Sequence, residues 1–273
     1  MNWPAIRAAR AHDPARRLPF FVGQHLVGSV AREHLGALRD WPQALRIDAT
    51  AVRLVAAEPT AVLAAVNTAL RDQGLVRGWR DEAFAVFSLD DGSRLARTER
   101  AAARFWGTLT LATHANGYVP GPDGRPTHLW IARRAFDKAT DPGLFDSLVG
   151  GGVPDGQTPH EALLREGWEE AGQREDVMRS AMPGRVLRLQ RDIPEGLQLE
   201  DLHVWDLALP EGVAPHNQDG EVQAFSHLPL DEALALAAGD TMTVDAALVT
   251  LDFALRHGLL AAPAGAEALF DTP

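Results

Sequence analysis

The sequence contains no cysteine, and this absence removes several kinds of chemistry at once. Without thiols the chain forms no disulfide bond, no thiolate metal site and no cysteine nucleophile. The absence also fits a reducing compartment, so we predict a cytoplasmic location. Lysine and tyrosine are nearly as scarce, since Lys138 and Tyr118 are the single examples of each. All the other basic residues are arginine, so a lone lysine indicates a local requirement or a chance surface position.

Long apolar runs and excess positive charge are also missing. No segment approaches the roughly 20 consecutive apolar residues of a membrane-spanning helix. The basic N-terminus has no apolar run before Phe20, so no secretory signal is predicted. The net charge is −11, whereas nucleic acids and anionic membranes bind basic surfaces. We therefore predict no nucleic-acid or membrane partner, and a phosphorylated small molecule only where a metal or an arginine cluster overrides the overall charge.

The 273 residues read as an α+β protein with two parts, a small α+β module over 1–106 and a second domain over 107–273. Two apolar runs of the module, FFVG and LVGSV, flank Gln24 and His25 and predict a β-hairpin. Apolar residues at helical spacing over 59–73, opened by proline and followed by glycine, predict a helix. The module is completed by a predicted strand over 84–89, a turn at 90–92 and a helix over 98–105.

Longer β-type runs around one strong helix mark the second part. That helix starts at Thr158 and Pro159, runs to Ala171 and is closed by Gly172, which are favourable capping residues at both ends. Predicted strands cover 109–119, 127–134, 185–191, 203–209 and 221–227, and predicted helices cover 230–238 and 243–257. This order of elements predicts a mixed sheet with helices on its faces.

The strong helix carries an acidic cluster. Residues three and four apart share a helix face, so Glu166, Glu169 and Glu170 lie close together. Each such like-charge pair costs roughly 0.2–0.5 kcal/mol, and the helix dipole disfavours negative charge at a C-terminal end. A hard divalent cation would offset both costs, and clustered carboxylates are the ligands that Mg²⁺ or Mn²⁺ selects. The alternative, for the cluster taken alone, is a solvated acidic face.

The surroundings of this helix resemble the Nudix box. In that motif a glycine, five residues, a glutamate and seven residues precede Arg-Glu-apolar-any-Glu-Glu-any-Gly-apolar. Gly151 takes the first position, and the final block runs from Arg165 to Gln173. Three positions depart from the pattern, because Gln157 stands for the first glutamate and Gly167 and Gln173 stand for apolar residues.

The resemblance implies a Nudix α/β/α sandwich with a mixed sheet over residues 107–273, and a metal-dependent hydrolase that uses Mg²⁺ or Mn²⁺. It also implies a metal-binding and catalytic set, which consists of Arg165, Glu166, Glu169, Glu170 and the carbonyl of Gly150. In that set Arg165 braces the helix against its loop. Gln157 keeps an amide oxygen that can accept a hydrogen bond from Arg165 but loses a negative charge.

Basic and polar residues upstream of the box are candidates for substrate binding. Arg133, Arg134 and Lys138 lie at the end of one predicted strand and in the loop after it. Such a cluster can bind a diphosphate that the acidic helix alone would repel, although a solvated basic loop is the alternative. Asn116 and Tyr118, in the phrase HANGYV, either line a pocket or mark a strand end.

One carboxylate downstream of the box is a candidate general base or additional metal ligand. Nudix enzymes often use such a group, and Glu221 opens a predicted strand after a loop that can reach the metal. Asp219, two residues earlier, is a rival, and a loop carboxylate without a role is the alternative for both.

Further phrases resemble a subgroup of Nudix proteins that is related to thiamine pyrophosphokinase and carries an N-terminal α+β module. They include ERAAARFWG, LWIARR, DKATDPGLFD and, in the module, FFVGQHLVGSV. This resemblance implies hydrolysis of thiamine diphosphate, or of its oxidised analogues, to the monophosphate and phosphate. Two alternatives stay open: a hydrolase of nucleoside diphosphate derivatives such as ADP-ribose or dinucleotides, and a non-catalytic Nudix-fold ligand sensor, which the change at Gln157 keeps open. The family resemblance also leaves a homodimer open.

Overall fold

The computed structural model describes residues 3–270 and shows a mixed α+β protein. Its first part contains α1 (Pro4–Ala8), β1 (Arg17–Val22), β2 (His25–Ala31), β3 (Leu45–Ile47), β4 (Val52–Leu54), α2 (Pro59–Asp72), β5 (Ala83–Phe87), β6 (Arg94–Glu99) and α3 (Arg100–Trp106). Its second part contains β7 (Leu109–Pro120), β8 (Pro126–Arg134), β9 (Phe145–Asp146), β10 (Val149–Gly152), α4 (Pro159–Ala171), α5 (Glu175–Met178), β11 (Met182–Ile193), β12 (Gly196–Ala208), β13 (Val222–Pro229), α6 (Leu230–Ala237) and α7 (Val244–Arg256).

The first part is built from a four-stranded sheet in the order β2-β1-β4-β3 and a separate β5-β6 hairpin. The predicted hairpin of β1 and β2 is confirmed, with Val22 opposite His25 at the turn. Apolar side chains of the sheet, α2 and α3 fill one core, in which Phe20 stacks on Trp106 at 4.5 Å between ring centroids. The indole of Trp106 donates to the buried side chain of Asn67 (2.7 Å), so this core contains a satisfied polar pair.

The predicted helix over 98–105 is wrong at its start. Strand β6 continues through Glu99, and α3 begins at the next residue. The Glu99 carboxylate accepts a hydrogen bond from the amide of Ala101 (3.3 Å), which caps α3. The cap fixes the boundary because it satisfies one of the amide donors that the first helical turn leaves free.

A seven-stranded mixed sheet forms the second part. Five strands follow the order β11-β12-β7-β8-β13, while β10 pairs with β7 and β9 pairs with β8. Strands β7 and β12 are parallel, and the other pairs in this sheet are antiparallel. One face packs on α7 through Leu202, Leu248 and Phe253, and the other packs on α4 through Leu163 and Leu207. The predicted sandwich of a mixed sheet between helices is therefore confirmed.

The ends of α4 follow from its sequence. Thr158 and Glu161 form a reciprocal capping box, in which each side chain accepts from the other residue's backbone amide. Pro159 occupies the first turn, and Gly172 ends the helix at φ 62°, a left-handed conformation that favours glycine. Local sequence therefore specifies both ends of this helix.

The start of the chain packs against the second part. Trp3, Ala5 and Ala9 are buried in the core that contains α7. The carbonyl of Ala9 accepts from the amide of Gln190 (2.9 Å), which extends the contact to β11. The division predicted between residues 106 and 107 stays a prediction. Among residues 3–270, no helix is both long and apolar enough to span a membrane.

Candidate active site

Two glutamates of α4 lie on its buried side, facing strand β10. Glu166 is 8% exposed and Glu170 is 6% exposed. The Glu170 carboxylate accepts a hydrogen bond from the amide of Gly150 (2.8 Å), and the Glu166 carboxylate lies 2.8 Å from the guanidinium of Arg165. Burial and the charge of Glu166 raise the pKa of Glu170 well above its ordinary value. Burial also raises the pKa of Glu166, and Arg165 offsets this in part.

The glycine strand β10 makes room for these carboxylates. A Cβ atom at Gly151 would lie 2.1 Å from Oε1 of Glu166, far inside van der Waals contact. A Cβ atom at Gly150 would lie 2.7 Å from the ring of His114. The first glycine of the box is therefore required by the approach of a glutamate side chain to the backbone.

The side chain of Glu169 lies at the exposed edge of α4. Its carboxylate pairs with the guanidinium of Arg165 at 2.8 Å, and its side chain is 39% exposed. Within residues 3–270, no group of three or more His, Asp or Glu side chains is arranged to hold a metal ion. Glu166 and Glu170 lie together on the buried side of α4. Glu169 instead shares the guanidinium group of Arg165 with Glu166. Two buried carboxylates, of which Glu166 raises the pKa of Glu170, lie beside a glycine cradle and are a donor set that fits a hard divalent cation.

A cavity of about 460 Å³ opens beside the glycine strand, between the two parts of the chain. Its floor is formed by side chains of β7 and β12 and by the backbone of β10. Its walls include the loop after β8 and the N-terminal end of α7. The predicted site residues that line it are Arg134, Lys138, Gly150 and Glu221.

Lys138 and Glu221 meet as an ion pair at this cavity. The ammonium group of Lys138 donates to the Glu221 carboxylate, whose other oxygen lies 3.4 Å from the guanidinium of Arg80. Burial alone would raise the pKa of Glu221, but Lys138 and Arg80 outweigh it, so the pKa lies below its ordinary value. Glu221 is therefore ionised at neutral pH. Asp219, the rival carboxylate, is exposed and accepts from the backbone amide of Glu221.

The paired arginines diverge because consecutive strand residues point to opposite faces. Arg134 faces the cavity and pairs with the buried Asp146 at 2.8 Å. Arg133 is exposed on the other side, where its guanidinium packs over the rings of Phe136 and Phe145. The structure does not bring Arg133 to the cavity.

Asn116 and Tyr118 are likewise outside the cavity. Asn116 is buried and donates to the carboxylate of Asp206 (3.2 Å) and the carbonyl of Val249 (3.3 Å). Tyr118 packs against the ring of Phe253 in α7, with 5.6 Å between ring centroids. Both residues share the strand face that lines the cavity earlier in β7, but α7 covers that face where they lie. Their position indicates a role in packing.

Several cavity residues were not predicted from the sequence. They include four arginines of the module: Arg77, Arg80, Arg100 and Arg104. Others form a polar end of the cavity: Gln198, Glu200 and Asp245, with His114 and Arg191 nearby. None carries a local signal, because an arginine at a turn or a polar strand residue has the same sequence pattern on any surface.

Gln157 is exposed, and Arg165 pairs with Glu166 and Glu169.

Comparisons with known proteins give matches for both parts of the chain. A family model described as NUDIX domain matches residues 112–246, and one described as Domain of unknown function (DUF4743) matches residues 4–110. Two relatives from Arabidopsis thaliana, Nudix hydrolase 20, chloroplastic, and Nudix hydrolase 24, chloroplastic, are 33% and 32% identical. The alignments cover 89% of this chain and 68% of each relative.

Among solved structures, the crystal structure of DR0079 from Deinococcus radiodurans is similar, with 24% identity and a TM-score of 0.47. That match covers 63% of this chain and 99% of the other. The family assignment itself depends on the sequence relatives, two of which exceed 30% identity over two thirds of their length. The chain belongs to the Nudix hydrolase family.

Proposed function

We propose that this Nudix hydrolase cleaves the diphosphate bond of a small organic diphosphate, with thiamine diphosphate or an oxidised analogue as the leading substrate. The observation that carries the proposal is the buried pair Glu166 and Glu170, set against a glycine strand beside a cavity rich in arginine. The sequence phrases that resemble the thiamine pyrophosphokinase-related subgroup support this choice of substrate. The products would be the monophosphate and phosphate.

The donor set supports Mg²⁺ or Mn²⁺ as the cofactor. Glu166, Glu170 and the carbonyl of Gly150 would hold the ion, and Glu169 would join them on leaving Arg165. Bound there, the ion would neutralise phosphate charge and lower the pKa of an attacking water. Its charge would also relieve the repulsion between two buried carboxylates, so metal binding and folding stability are expected to be coupled.

Residues of the chain supply the remaining steps. Arg134 and Lys138 line the cavity and would orient the diphosphate by charge-assisted hydrogen bonds. Glu221 is ionised and accepts the proton of the attacking water as the new P–O bond forms. The bond from the attacked phosphorus to the bridging oxygen breaks, and the electron pair leaves with the monophosphate. Because Lys138 and Glu221 are paired in this structure, substrate binding must loosen that pair.

The polar end of the cavity supports a substrate whose organic part carries positive charge or N–H donors. The amide nitrogen of Gln198 donates to Glu200 (2.6 Å) and to Asp245 (3.2 Å). Burial and the charge of Glu200 raise the pKa of Asp245, and the nearby Arg191 offsets this in part. A cationic ring with an amino group, such as thiamine, would offset this concentration of carboxylates. An adenine nucleotide gains less there, because its base is neutral.

A substrate panel tests the proposal. Release of phosphate and nucleotide products is measured for thiamine diphosphate, its oxidised analogues, ADP-ribose and dinucleotides in Mg²⁺. We expect the highest kcat/KM for a thiamine-type diphosphate. A preference for ADP-ribose or dinucleotides would identify a different substrate for the same reaction, hydrolysis of a diphosphate bond. Tight binding of a panel member without turnover would indicate the ligand sensor instead.

Two further expectations belong to the same proposal. The absence of cysteine supports a cytoplasmic location, while the two plant relatives are chloroplastic by name. A homodimer stays a prediction, and sedimentation of the full chain would test it.

A further inference from the structure

The N-terminal module contributes positive charge to the cavity. Arg77, Arg80, Arg100 and Arg104 all line it, and they come from two separate segments of the module. Arg77 and Arg80 lie between α2 and β5, and Arg100 and Arg104 lie on α3. A chain with a net charge of −11 thus concentrates cations beside its acidic helix.

Two of these arginines are held in place by the module itself. The guanidinium of Arg100 pairs with Glu82 at 2.8 Å and lies over the ring of Phe84, 5.6 Å from its centroid. The backbone amide of Arg80 donates to the carboxylate of Glu99 (3.0 Å). The guanidinium group of Arg100 is therefore preorganised, and such a group loses less conformational entropy when it binds an anion.

The same two arginines share the cavity with Glu221, a carboxylate of the second part. Arg80 contacts the carboxylate of Glu221 at 3.4 Å. Arg100 lines the same cavity as Glu221. The module therefore supplies guanidinium groups that a second phosphate can use.

We propose that Arg80 and Arg100 form a subsite for the terminal phosphate of the diphosphate, so that the module is part of the active site. The inference rests on the proposed function, because it assigns one end of the same substrate. Guanidinium groups bind phosphate oxygens in a planar, two-pronged geometry that a lysine does not reproduce. Arg77 and Arg104 add positive charge at the rim of the same cavity.

The test measures binding of methylenediphosphonate, which is not hydrolysed, to the full chain by calorimetry in EDTA. Arg80→Gln and Arg100→Gln are each expected to weaken Kd by about tenfold, since charge-assisted bonds are lost. Arg46→Gln is the matched control, because Arg46 is an exposed arginine of the same module on β3. Arg80→Lys is expected to recover only part of the affinity.

Two outcomes overturn the subsite. One is a wild-type chain that does not bind the probe, and the other is a double variant of Arg80 and Arg100 that binds it with unchanged Kd. Steady-state kinetics distinguish a phosphate-binding role of these arginines from an indirect effect on Glu221. Loss of a phosphate contact raises KM, whereas a disturbed Glu221 lowers kcat and shifts the pH profile. Arginine-dependent probe binding in a chain that hydrolyses no diphosphate would retain the subsite and refute the proposed function.

Discussion

Replacing Glu170 by glutamine separates the metal-binding role of this residue from its effect on folding. Glu170 is 6% exposed, and burial together with Glu166 raises its pKa well above the ordinary value. The substitution removes the charge and retains an oxygen that can accept from the amide of Gly150. Because the charge of Glu166 raises the pKa of Glu170, the substitution also removes a repulsion between like charges. We therefore expect Glu170→Gln to stabilise the metal-free fold and to abolish metal-dependent turnover.

The magnitude follows from the cost of the buried charge. Burying a charged carboxylate costs several kcal/mol of folding free energy. Glutamine avoids this cost but buries an amide group in its place, so we expect the variant to be more stable than wild type by about 1 kcal/mol. For a chain of this size that corresponds to a rise in Tm of about 2–4 °C. When the pKa of a carboxyl group is raised in the folded state, the protein becomes less stable as pH rises from the unfolded-state pKa of that group, 4.5, through its folded-state pKa. The gain from Glu170→Gln should therefore be larger at pH 8 than at pH 5.5.

Thermal unfolding in EDTA at both pH values, with and without added Mg²⁺, is the assay. For wild type, Mg²⁺ at a hundredfold excess over Kd should stabilise by about 2.7 kcal/mol, and the variant should lose this response. Glu211→Gln is the control, because Glu211 is an exposed loop carboxylate. A variant that is less stable than wild type in EDTA at pH 8, or that keeps the Mg²⁺ response, would refute the reasoning.

Three other substitutions test separate parts of the site. Glu169→Gln should remove most turnover while the circular dichroism spectrum stays native, and wild-type turnover would exclude Glu169 as a ligand. Lys138→Ala should raise KM for the diphosphate several-fold, because an ammonium group is lost from the cavity; an unchanged KM in steady-state assays would make it a surface lysine. Gly151→Ala should destabilise the fold by about 1–3 kcal/mol, because its Cβ would lie 2.1 Å from a carboxylate oxygen of Glu166. Denaturant unfolding measures this loss, and full stability would show that Glu166 moves freely.

Helix α4 shows how much local sequence determines. Thr158, Pro159 and Gly172 specify its ends through capping and backbone preferences, and the structure has the same bounds. The hairpin of β1 and β2 and helix α2 follow for the same reason, since their turn and cap residues are local. The start of α3 was missed because the cap by Glu99 competes with a helical pattern that begins one residue earlier.

The position of Glu169 shows that a shared helix face does not by itself place three carboxylates at one metal site. Glu166 and Glu170 are four residues apart and lie on the buried side of α4, whereas Glu169 lies towards the edge. There it is four residues from Arg165, the spacing at which opposite charges pair on a helix. The ion pair is therefore local, and a metal has to compete with it.

Asn116 and the module arginines show what a single sequence does not contain. The alternation of β7 places Asn116 on the same face as His114, yet α7 covers only one of them. Arg80 and Arg100 come close to the site through contacts between two parts of the chain, and no local pattern marks them. Such positions depend on which helix or module packs on a face, a property of the whole fold.

The most direct test of the central claim is phosphate release from the preferred diphosphate in three conditions. The full chain is assayed with Mg²⁺, then with excess EDTA, and then with Mg²⁺ restored above the chelator concentration. If the buried glutamates of α4 form a metal centre, release stops in EDTA and returns with Mg²⁺ at the original rate. Release that continues unchanged in EDTA would contradict the account.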